Sequence, residues 1–182
     1  FFEQLKEWGF DPDEFKSTEF RSLDLIHPDD KITTAQSDAV AFRIVERGTS
    51  PHTIDQGFKR MAEVEGVKIH YKTRISEDDC DIIATGPKGT SAVAYGEIFH
   101  TTHPNKISFQ LNDKLAPGAY SYLIIIDGVG LICTCLWRKQ KKSERFLNET
   151  IAWYQKQYPE IQMTPVKRVG GKGDFTINKR YK

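Results

Sequence analysis

Two pairs of side chains in this sequence could bind a metal or carry out redox chemistry. Cys133 and Cys135 alternate with Thr134 in an apolar segment, so both thiols would face the same side of a β-sheet. His100 and His103 stand three residues apart, just before a proline. Zinc usually takes about three or four protein ligands, and no third ligand is indicated for either pair. We therefore interpret the cysteines as small apolar packing residues and the histidines as part of a strand end or turn, and predict no metal site.

Two glycine-rich segments could bind a phosphate through their backbone N–H groups. They are Gly86-Pro87-Lys88-Gly89 and Gly170-Gly171-Lys172-Gly173, and ordinary turns explain both equally well. The motifs of self-contained hydrolases, P-loop proteins and zinc proteases are absent: there is no Gly-x-Ser-x-Gly, no Gly-x-x-x-x-Gly-Lys-Ser/Thr and no His-Glu-x-x-His. The sequence therefore contains no complete catalytic apparatus of its own.

Charged residues are unevenly distributed, although the formal net charge is only +1. Residues 3–30 hold nine carboxylates against three cations, and residues 165–182 hold six Lys or Arg against one Asp. Cations interleaved with Phe175 and Tyr181 are typical of nucleic-acid surfaces. Because the total charge is near zero, we favour a solvated hairpin at the C-terminus and expect no nucleic-acid partner. An interaction domain that uses Lys139 to Arg145 and the C-terminal cations stays an alternative, and it predicts steep salt dependence of binding.

Length and composition limit the class of protein. A chain of 182 residues, 38% of them apolar, can bury one sizeable core, which favours one domain or a domain with an appendage. The longest apolar run, Tyr122 to Ile126, is far shorter than the roughly 18 to 20 residues that span a bilayer, so no transmembrane segment is predicted. Three cysteines are too few, and odd in number, for a disulfide framework, so we expect a reducing, cytoplasmic location. The N-terminus, Phe1-Phe2-Glu3-Gln4, has neither an initiator Met nor the features of a signal peptide, and the chain looks cut from a longer protein.

The elements that position these residues follow from periodicity and turn signals. Helices are predicted from about His52 to Val64, closed by a glycine, and from Ser143, as N-cap, to about Tyr158. Strands are predicted at Ala39 to Val45, Val67 to Tyr71, Cys80 to Ala84, Tyr95 to Thr101, Ile107 to Leu111, Tyr120 to Ile126 and Leu131 to Arg138. Asp127-Gly128 between the last two strands predicts a β-hairpin. The order predicts an α+β fold with a twisted, largely antiparallel sheet and two main helices.

Three stretches, taken in order, resemble one family of flavoenzymes. They are Val45-Glu46-Arg47 with Thr53-Ile54-Asp55, Phe58, Ala62 and Gly66-Val67; then Cys80 to Ser91; then Ala116 to Tyr122 followed by Asp127-Gly128-Val129-Gly130. In their order and spacing they resemble FAD-dependent oxidoreductases of the geranylgeranyl reductase type, over about Ala39 to Tyr154. Thr85 and Pro87 depart from the family's Ala-Asp-Gly turn, and Tyr122 stands where the family usually has Trp.

The resemblance implies that this chain is the substrate-binding portion of a larger FAD-dependent oxidoreductase, with a fold similar to the substrate-binding domains of FAD-dependent reductases and hydroxylases. The Gly-x-Gly-x-x-Gly motif that holds the FAD pyrophosphate is absent, so the full-length parent would hold FAD and this chain alone would be inactive. Its partners would be the remaining FAD-binding parts of the parent chain and a hydrophobic or lipid-like substrate. We divide the chain into an acidic, solvated flank (1–38), an α+β substrate-side domain (39–160) and a basic hairpin or tail of that domain (161–182).

The resemblance also implies roles for single residues. Arg47 would lie near the flavin, where a cation stabilises negative charge on the reduced ring. Gly86 and Gly89 would allow the backbone to approach the cofactor closely. Tyr120, Tyr122 and Trp137 would line the substrate pocket. No catalytic residue is assigned. The residues themselves also allow plainer interpretations: cross-strand packing for the three aromatic residues and a surface ion pair for Arg47.

The main alternative function is a stand-alone module that binds a hydrophobic ligand without catalysis. Such a module should bind its ligand unaided. A flavoenzyme fragment should instead bind FAD weakly or not at all, because its dinucleotide-binding half is missing.

Overall fold

The computed structural model describes residues 2–86 and 89–174. The helices are α1 (Phe2–Glu7), α2 (Ile54–Val64) and α3 (Ser143–Gln157). The strands are β1 (Ser17–Phe20), β2 (Ser22–Ile26), β3 (Ile32–Gln36), β4 (Phe42–Val45), β5 (Ala92–His100), β6 (Lys106–Gln110), β7 (Ser121–Ile126), β8 (Val129–Leu136) and β9 (Thr164–Gly173). They form two compact units: a small unit of Phe1–Arg21 and Ala39–Ala84, and a sheet unit of Ser22–Asp38 and Thr85–Lys182. The division of the chain at residues 38 and 160 stays a prediction.

The small unit combines α1 and α2 with a two-stranded antiparallel sheet of β1 and β4. Leu5 and Phe15 are buried, and the ring of Phe15 meets that of Phe58 on α2 edge-on at 5.9 Å. Helix α2 begins after Thr53, whose side chain accepts the Gln56 N–H, and is closed just beyond its C-cap by Gly66, whose φ of 80° favours glycine. The predicted helix and its closing glycine are confirmed.

Two predictions for this part of the chain are wrong. Residues 67–71 and 80–84 form no strands, and Val67, Tyr71 and Ile82 are more than half exposed. An alternating segment such as 67–71, or a short apolar run such as 80–84, forms a strand only when a neighbouring strand pairs with it, and no such neighbour lies among the described residues. The acidic N-terminal segment is not a solvated flank either, because Phe15, Phe20 and Ile26 are buried within it and it contains β1 and β2.

The sheet unit is built on seven strands in the order β3-β2-β6-β7-β8-β5-β9. Every neighbouring pair is antiparallel except β2 and β6, which run parallel. Helix α3 packs on one face, where Leu147 and Tyr154 join Leu123, Ile125 and Ile132 of β7 and β8 in the core. The predicted α+β fold with a largely antiparallel sheet is confirmed, as are the strands β5 to β8.

The predicted hairpin joins β7 to β8. Ile126 pairs with Val129, and the two residues between them have positive φ angles, 49° for Asp127 and 81° for Gly128. This is the type I′ geometry that Asp-Gly favours, because its twist matches that of the flanking strands.

The C-terminal region differs from its prediction. Gly170 to Gly173 do not form a turn but continue β9, which pairs with β5 along its whole length. Gly170 packs closely against the ring of Tyr95, so the glycines serve strand packing. The second predicted segment, with Phe175 and Tyr181, lies outside the described residues. Helix α3 is confirmed, but its N-cap is Lys142 and not Ser143.

Candidate functional site

The sheet face opposite α3 carries an aromatic and apolar surface. Because side chains alternate along a strand, the neighbours of Leu123, Ile125 and Ile132 point away from α3. Across three strands this places Phe109, Tyr122 and Cys133 in register on that face. We call this surface the aromatic face.

Three rings form a cluster on the aromatic face. The ring centroids of Phe109, Tyr120 and Tyr122 lie 6.1 to 6.2 Å from one another, in tilted or edge-on arrangements that aromatic rings prefer. The structure therefore brings Tyr120 and Tyr122 together, and their role in a substrate pocket stays a prediction. Sequence reasoning did not single out Phe109, although its position in the predicted strand Ile107 to Leu111 could have placed it opposite Tyr122.

A cleft of about 340 Å³ adjoins this cluster, and Trp137 is one of the residues that line it. Tyr120, which is 39% exposed, forms one wall, and Trp137, which is 54% exposed, forms another, with Cys135 between them. The remaining lining residues come from the edge formed by β5 and β9: Ala92, Val93, Ala94, Gly171, Lys172 and Gly173. Lys172 is the one charged residue among these, so the cleft is suited to an apolar or aromatic ligand.

The pKa is raised for three polar groups of the aromatic face and lowered for the thiol of Cys135. Burial raises the pKa of Tyr122, and the adjacent Cys133 raises it further. Burial also raises the pKa of Tyr120. The neighbouring Cys135 thiol and burial raise the pKa of Cys133, and the hydrogen bond from Cys133 lowers that of Cys135. Hydroxyl groups with raised pKa values can orient a ligand by hydrogen bonds, but they are poor bases or nucleophiles.

Arg47 follows β4 in the small unit and is held by a carboxylate. Its Nε and Nη2 atoms donate to the two oxygens of Asp55, both at 2.8 Å, and the Gly48 N–H donates to the same carboxylate at 2.7 Å. The Arg47 side chain is 76% exposed. Hydrogen bonds from Arg47 lower the pKa of Asp55 to about 2. The structure thus contains the surface ion pair that was the plainer interpretation of Arg47.

Gly86 and Gly89 belong to the sheet unit and differ in their surroundings. Gly86 has a φ of 76° and open space where a Cβ would stand. At Gly89 a Cβ would collide with the carboxylate of Asp174, which accepts a hydrogen bond from Ser91 at 2.5 Å. A carboxylate at this position would repel a pyrophosphate. The backbone at Gly89 therefore does not offer the FAD pyrophosphate a binding site.

Metal and membrane features can be stated for the described part of the chain. In residues 2–86 and 89–174, no group of three or more His, Cys, Asp or Glu side chains could hold a metal ion. His103 Nδ1 lies 2.8 Å from the carbonyl oxygen of Pro104, in the turn after β5. None of the three helices is long and apolar enough to cross a bilayer.

Comparison with known proteins yields a likeness in structure and none in sequence. No family model matches the sequence, and a search of curated proteins finds no match. The fold is similar to the crystal structure of a geranylgeranyl bacteriochlorophyll reductase-like protein from Thermoplasma acidophilum, with a TM-score of 0.54 and 13% sequence identity. The likeness covers 92% of this chain and 53% of the other, so the chain spans about half the length of that protein. The two proteins share a fold over this length.

Proposed function

We propose that this chain is the substrate-binding portion of a larger FAD-dependent oxidoreductase of the geranylgeranyl reductase type, and that its substrate is hydrophobic or lipid-like. The observation that carries the proposal is the aromatic face, where Tyr120 and Tyr122 cluster beside Trp137. Aromatic rings can bury an isoprenoid or similar chain against their apolar surfaces, while the tyrosine hydroxyls are available to a polar end of the ligand. The shared fold with a reductase-like protein supports the same assignment.

The flavin would be held mainly by parts of the parent protein outside these residues. Within this chain, we propose that Arg47 approaches the cofactor in the parent, whereas the Asp174 carboxylate beside Gly89 keeps the FAD pyrophosphate away from that glycine. FAD would supply the hydride chemistry, and the aromatic face would bind and orient the substrate and exclude water around it. Asp55 would hold the Arg47 side chain in place through its two hydrogen bonds.

A stand-alone module that binds a hydrophobic ligand is the second candidate. One observation favours it: the residues of the aromatic face and its cleft all belong to the sheet unit, which has its own core. Both candidates predict that an apolar ligand binds to this chain. They differ in whether flavin is present in the protein encoded by the complete reading frame.

A fluorescence titration tests the shared part of the proposal. Geranylgeraniol, a long isoprenoid alcohol, is added to this chain while tryptophan emission is recorded. We expect a saturable blue shift, because the half-exposed Trp137 ring would leave water, and we expect the Trp137→Phe variant to lose it. Tyr122→Ala should weaken binding by about tenfold, since a ring of the cluster is lost.

Tyr71→Ala serves as the matched control, because Tyr71 is an exposed tyrosine of the small unit. Affinity unchanged by Tyr122→Ala, or lowered equally by Tyr71→Ala, would remove the aromatic face from the proposal. The flavin-side assignment needs the parent protein. There Arg47→Ala should slow flavin reduction or reoxidation, while Lys59→Ala, which removes another cation of the small unit, should not.

A further inference from the structure

Four cations line a concave surface of the sheet unit at the start of α3. Lys114, from the loop between β6 and β7, lies there with Lys139, Lys142 and Arg145. The cleft they surround measures about 370 Å³. Asp113 and Phe146 complete its lining. We call this surface the basic pocket.

The positive charge of the basic pocket is largely uncompensated. Asp113, the lining carboxylate, already accepts the Gly118 N–H at 2.9 Å and Arg138 Nη2 at 2.5 Å, and these bonds keep its pKa below the usual range. Arg145 is paired with Glu149 at 2.8 Å. Lys114, Lys139 and Lys142 have no carboxylate within ion-pair distance among residues 2–86 and 89–174. Three ammonium groups therefore share one concavity whose lining carboxylate, Asp113, is already hydrogen-bonded to Arg138 and Gly118.

The local backbone makes this concentration of charge unfavourable in the absence of an anion. A helix N-terminus carries partial positive charge and favours acidic side chains, yet Lys139, Lys141 and Lys142 immediately precede α3. Lys142 is the N-cap residue and makes no capping hydrogen bond with its side chain. Lys139 has a φ of 57°, in the left-handed region that residues with a Cβ rarely adopt. A bound anion would relieve the charge repulsion at this position.

We propose that the basic pocket binds a phosphate group, carried either by a free phosphate compound or by a lipid headgroup. Ammonium groups suit this ligand because each donates charge-assisted hydrogen bonds to phosphate oxygens. Phe146 adds an apolar side chain to the lining. The proposal rests on the cations of the pocket and is independent of the function proposed for the aromatic face.

A titration with inorganic phosphate, followed by ¹H–¹⁵N NMR spectra of the whole chain, tests the proposal. Sodium chloride at the same ionic strength serves as the reference. Saturable shifts are expected at residues 113–114 and 139–146. Lys139→Gln and Lys142→Gln should each weaken binding by about fivefold, because one charge-assisted contact is lost.

Lys141→Gln is the matched control, since Lys141 belongs to the same run of cations but does not line the pocket. It should change the dissociation constant by less than about twofold, the effect of long-range charge alone. Shifts that grow without saturation, or equal weakening by all three variants, would overturn the proposal. A single-stranded oligonucleotide serves as a second ligand. If it binds more tightly than phosphate, and Lys141→Gln weakens its binding as much as Lys142→Gln does, the surface is a diffuse nucleic-acid surface and the proposal is overturned.

Sedimentation with lipid vesicles then identifies the source of the phosphate. If vesicles of phosphatidylglycerol bind the chain, vesicles of phosphatidylcholine do not, and Lys142→Gln abolishes the difference, the pocket takes a lipid headgroup. If neither vesicle binds while inorganic phosphate does, the ligand is a free phosphate compound. Either result supports the pocket.

Discussion

Asp24 and Lys106 form a largely buried ion pair in the sheet unit. Lys106 Nζ lies 2.5 Å from Asp24 Oδ2, and the two side chains are 20% and 12% exposed. The carboxylate also accepts hydrogen bonds from Thr34 at 2.7 Å and from Tyr158 at 3.1 Å. Burial raises the pKa of Asp24, but these three partners outweigh it and hold the pKa below its usual value. Every polar atom of the carboxylate is thus paired.

We predict that Lys106→Met lowers the free energy of unfolding by about 3 kcal/mol at neutral pH, because it leaves a buried carboxylate without its cation. The folded-state pKa of Asp24 is depressed, so the contribution of the pair is present above about pH 4 and is lost as the pH falls below the usual carboxyl pKa of 3.8. The difference between wild type and variant should therefore shrink in acid. Urea unfolding at neutral pH and near pH 3 measures it, with Lys156→Met as a control on the exposed end of α3. A difference that does not depend on pH would contradict this account.

The exposed pair of Arg47 and Asp55 leads to a second prediction at this scale. NMR titration of the carboxyl carbon should give a pKa of about 2 for Asp55, and Arg47→Ala should return it towards 3.8. Because the folded-state pKa is depressed, any stability from the pair is present above about pH 4 and is lost as the pH falls towards 2. Lys59→Ala, elsewhere on α2, should leave the titration of Asp55 unchanged. If the pKa of Asp55 is the same in the Arg47→Ala variant as in the wild type, the ion pair does not form in solution.

Among the elements, the β7–β8 hairpin depends on two glycines for different reasons. Gly128 supplies the positive φ of the turn. Gly130 has no such requirement, but a Cβ there would collide with the ring of Phe99, its partner on β5. The ring of Phe99 is 1% exposed and belongs to the core, so it has little room to move.

We predict that Gly130→Ala lowers the free energy of unfolding by about 3 kcal/mol, because it overpacks the core at Phe99. Gly171→Ala is the matched control: Gly171 also lies in a strand, but its φ is not positive and nothing stands within 4 Å of its missing Cβ. That change should shift stability by less than about 0.5 kcal/mol. Thermal and urea unfolding of both variants measure the contrast, and similar losses in both would refute the packing explanation.

The sequence predicted some elements better than others, and the reasons are physical. In the strands β5 to β8, apolar residues recur at the spacing of a strand, and Asp127-Gly128 between β7 and β8 is typical of a hairpin turn. The local sequence was therefore sufficient to predict these strands. Segment 67–71 alternates as clearly, and segment 80–84 is a nearly continuous apolar run, but neither has a covering strand among the described residues. The sequence predicts a hairpin where the structure has strand β9, because the glycine-rich residues 170–173 are typical of a turn. Hydrogen-bonded pairing with β5, which the local sequence does not reveal, makes them part of the strand.

The candidate site was only partly accessible to the same reasoning. Tyr120 and Tyr122 were identified through a resemblance, and their contact with Phe109 depends on the register between β6 and β7. That register follows from how three strands pair, which no single stretch of sequence encodes. In the basic pocket, Lys114 likewise lies beside Lys139 and Lys142 because the fold brings together segments that are distant in the sequence. The run Lys139 to Arg145 was visible in the sequence, but its concave arrangement was not.

For the whole molecule, the proposed roles are divided between two compact units. The aromatic face and its cleft belong to the sheet unit, and Arg47 belongs to the small unit. The fold is shared with about half of a reductase-like protein of roughly twice this length. A flavoenzyme assembled in this way would bind its substrate on the sheet unit and its cofactor mainly through other parts of the parent.

The most direct test of the central proposal is the visible absorption spectrum of the protein encoded by the complete reading frame, recorded before and after addition of geranylgeraniol. We predict a spectrum of bound flavin that the ligand perturbs, with the perturbation weakened by Tyr122→Ala. A protein that binds geranylgeraniol but contains no flavin, even after incubation with FAD, would contradict the proposal and leave the stand-alone binding module in its place.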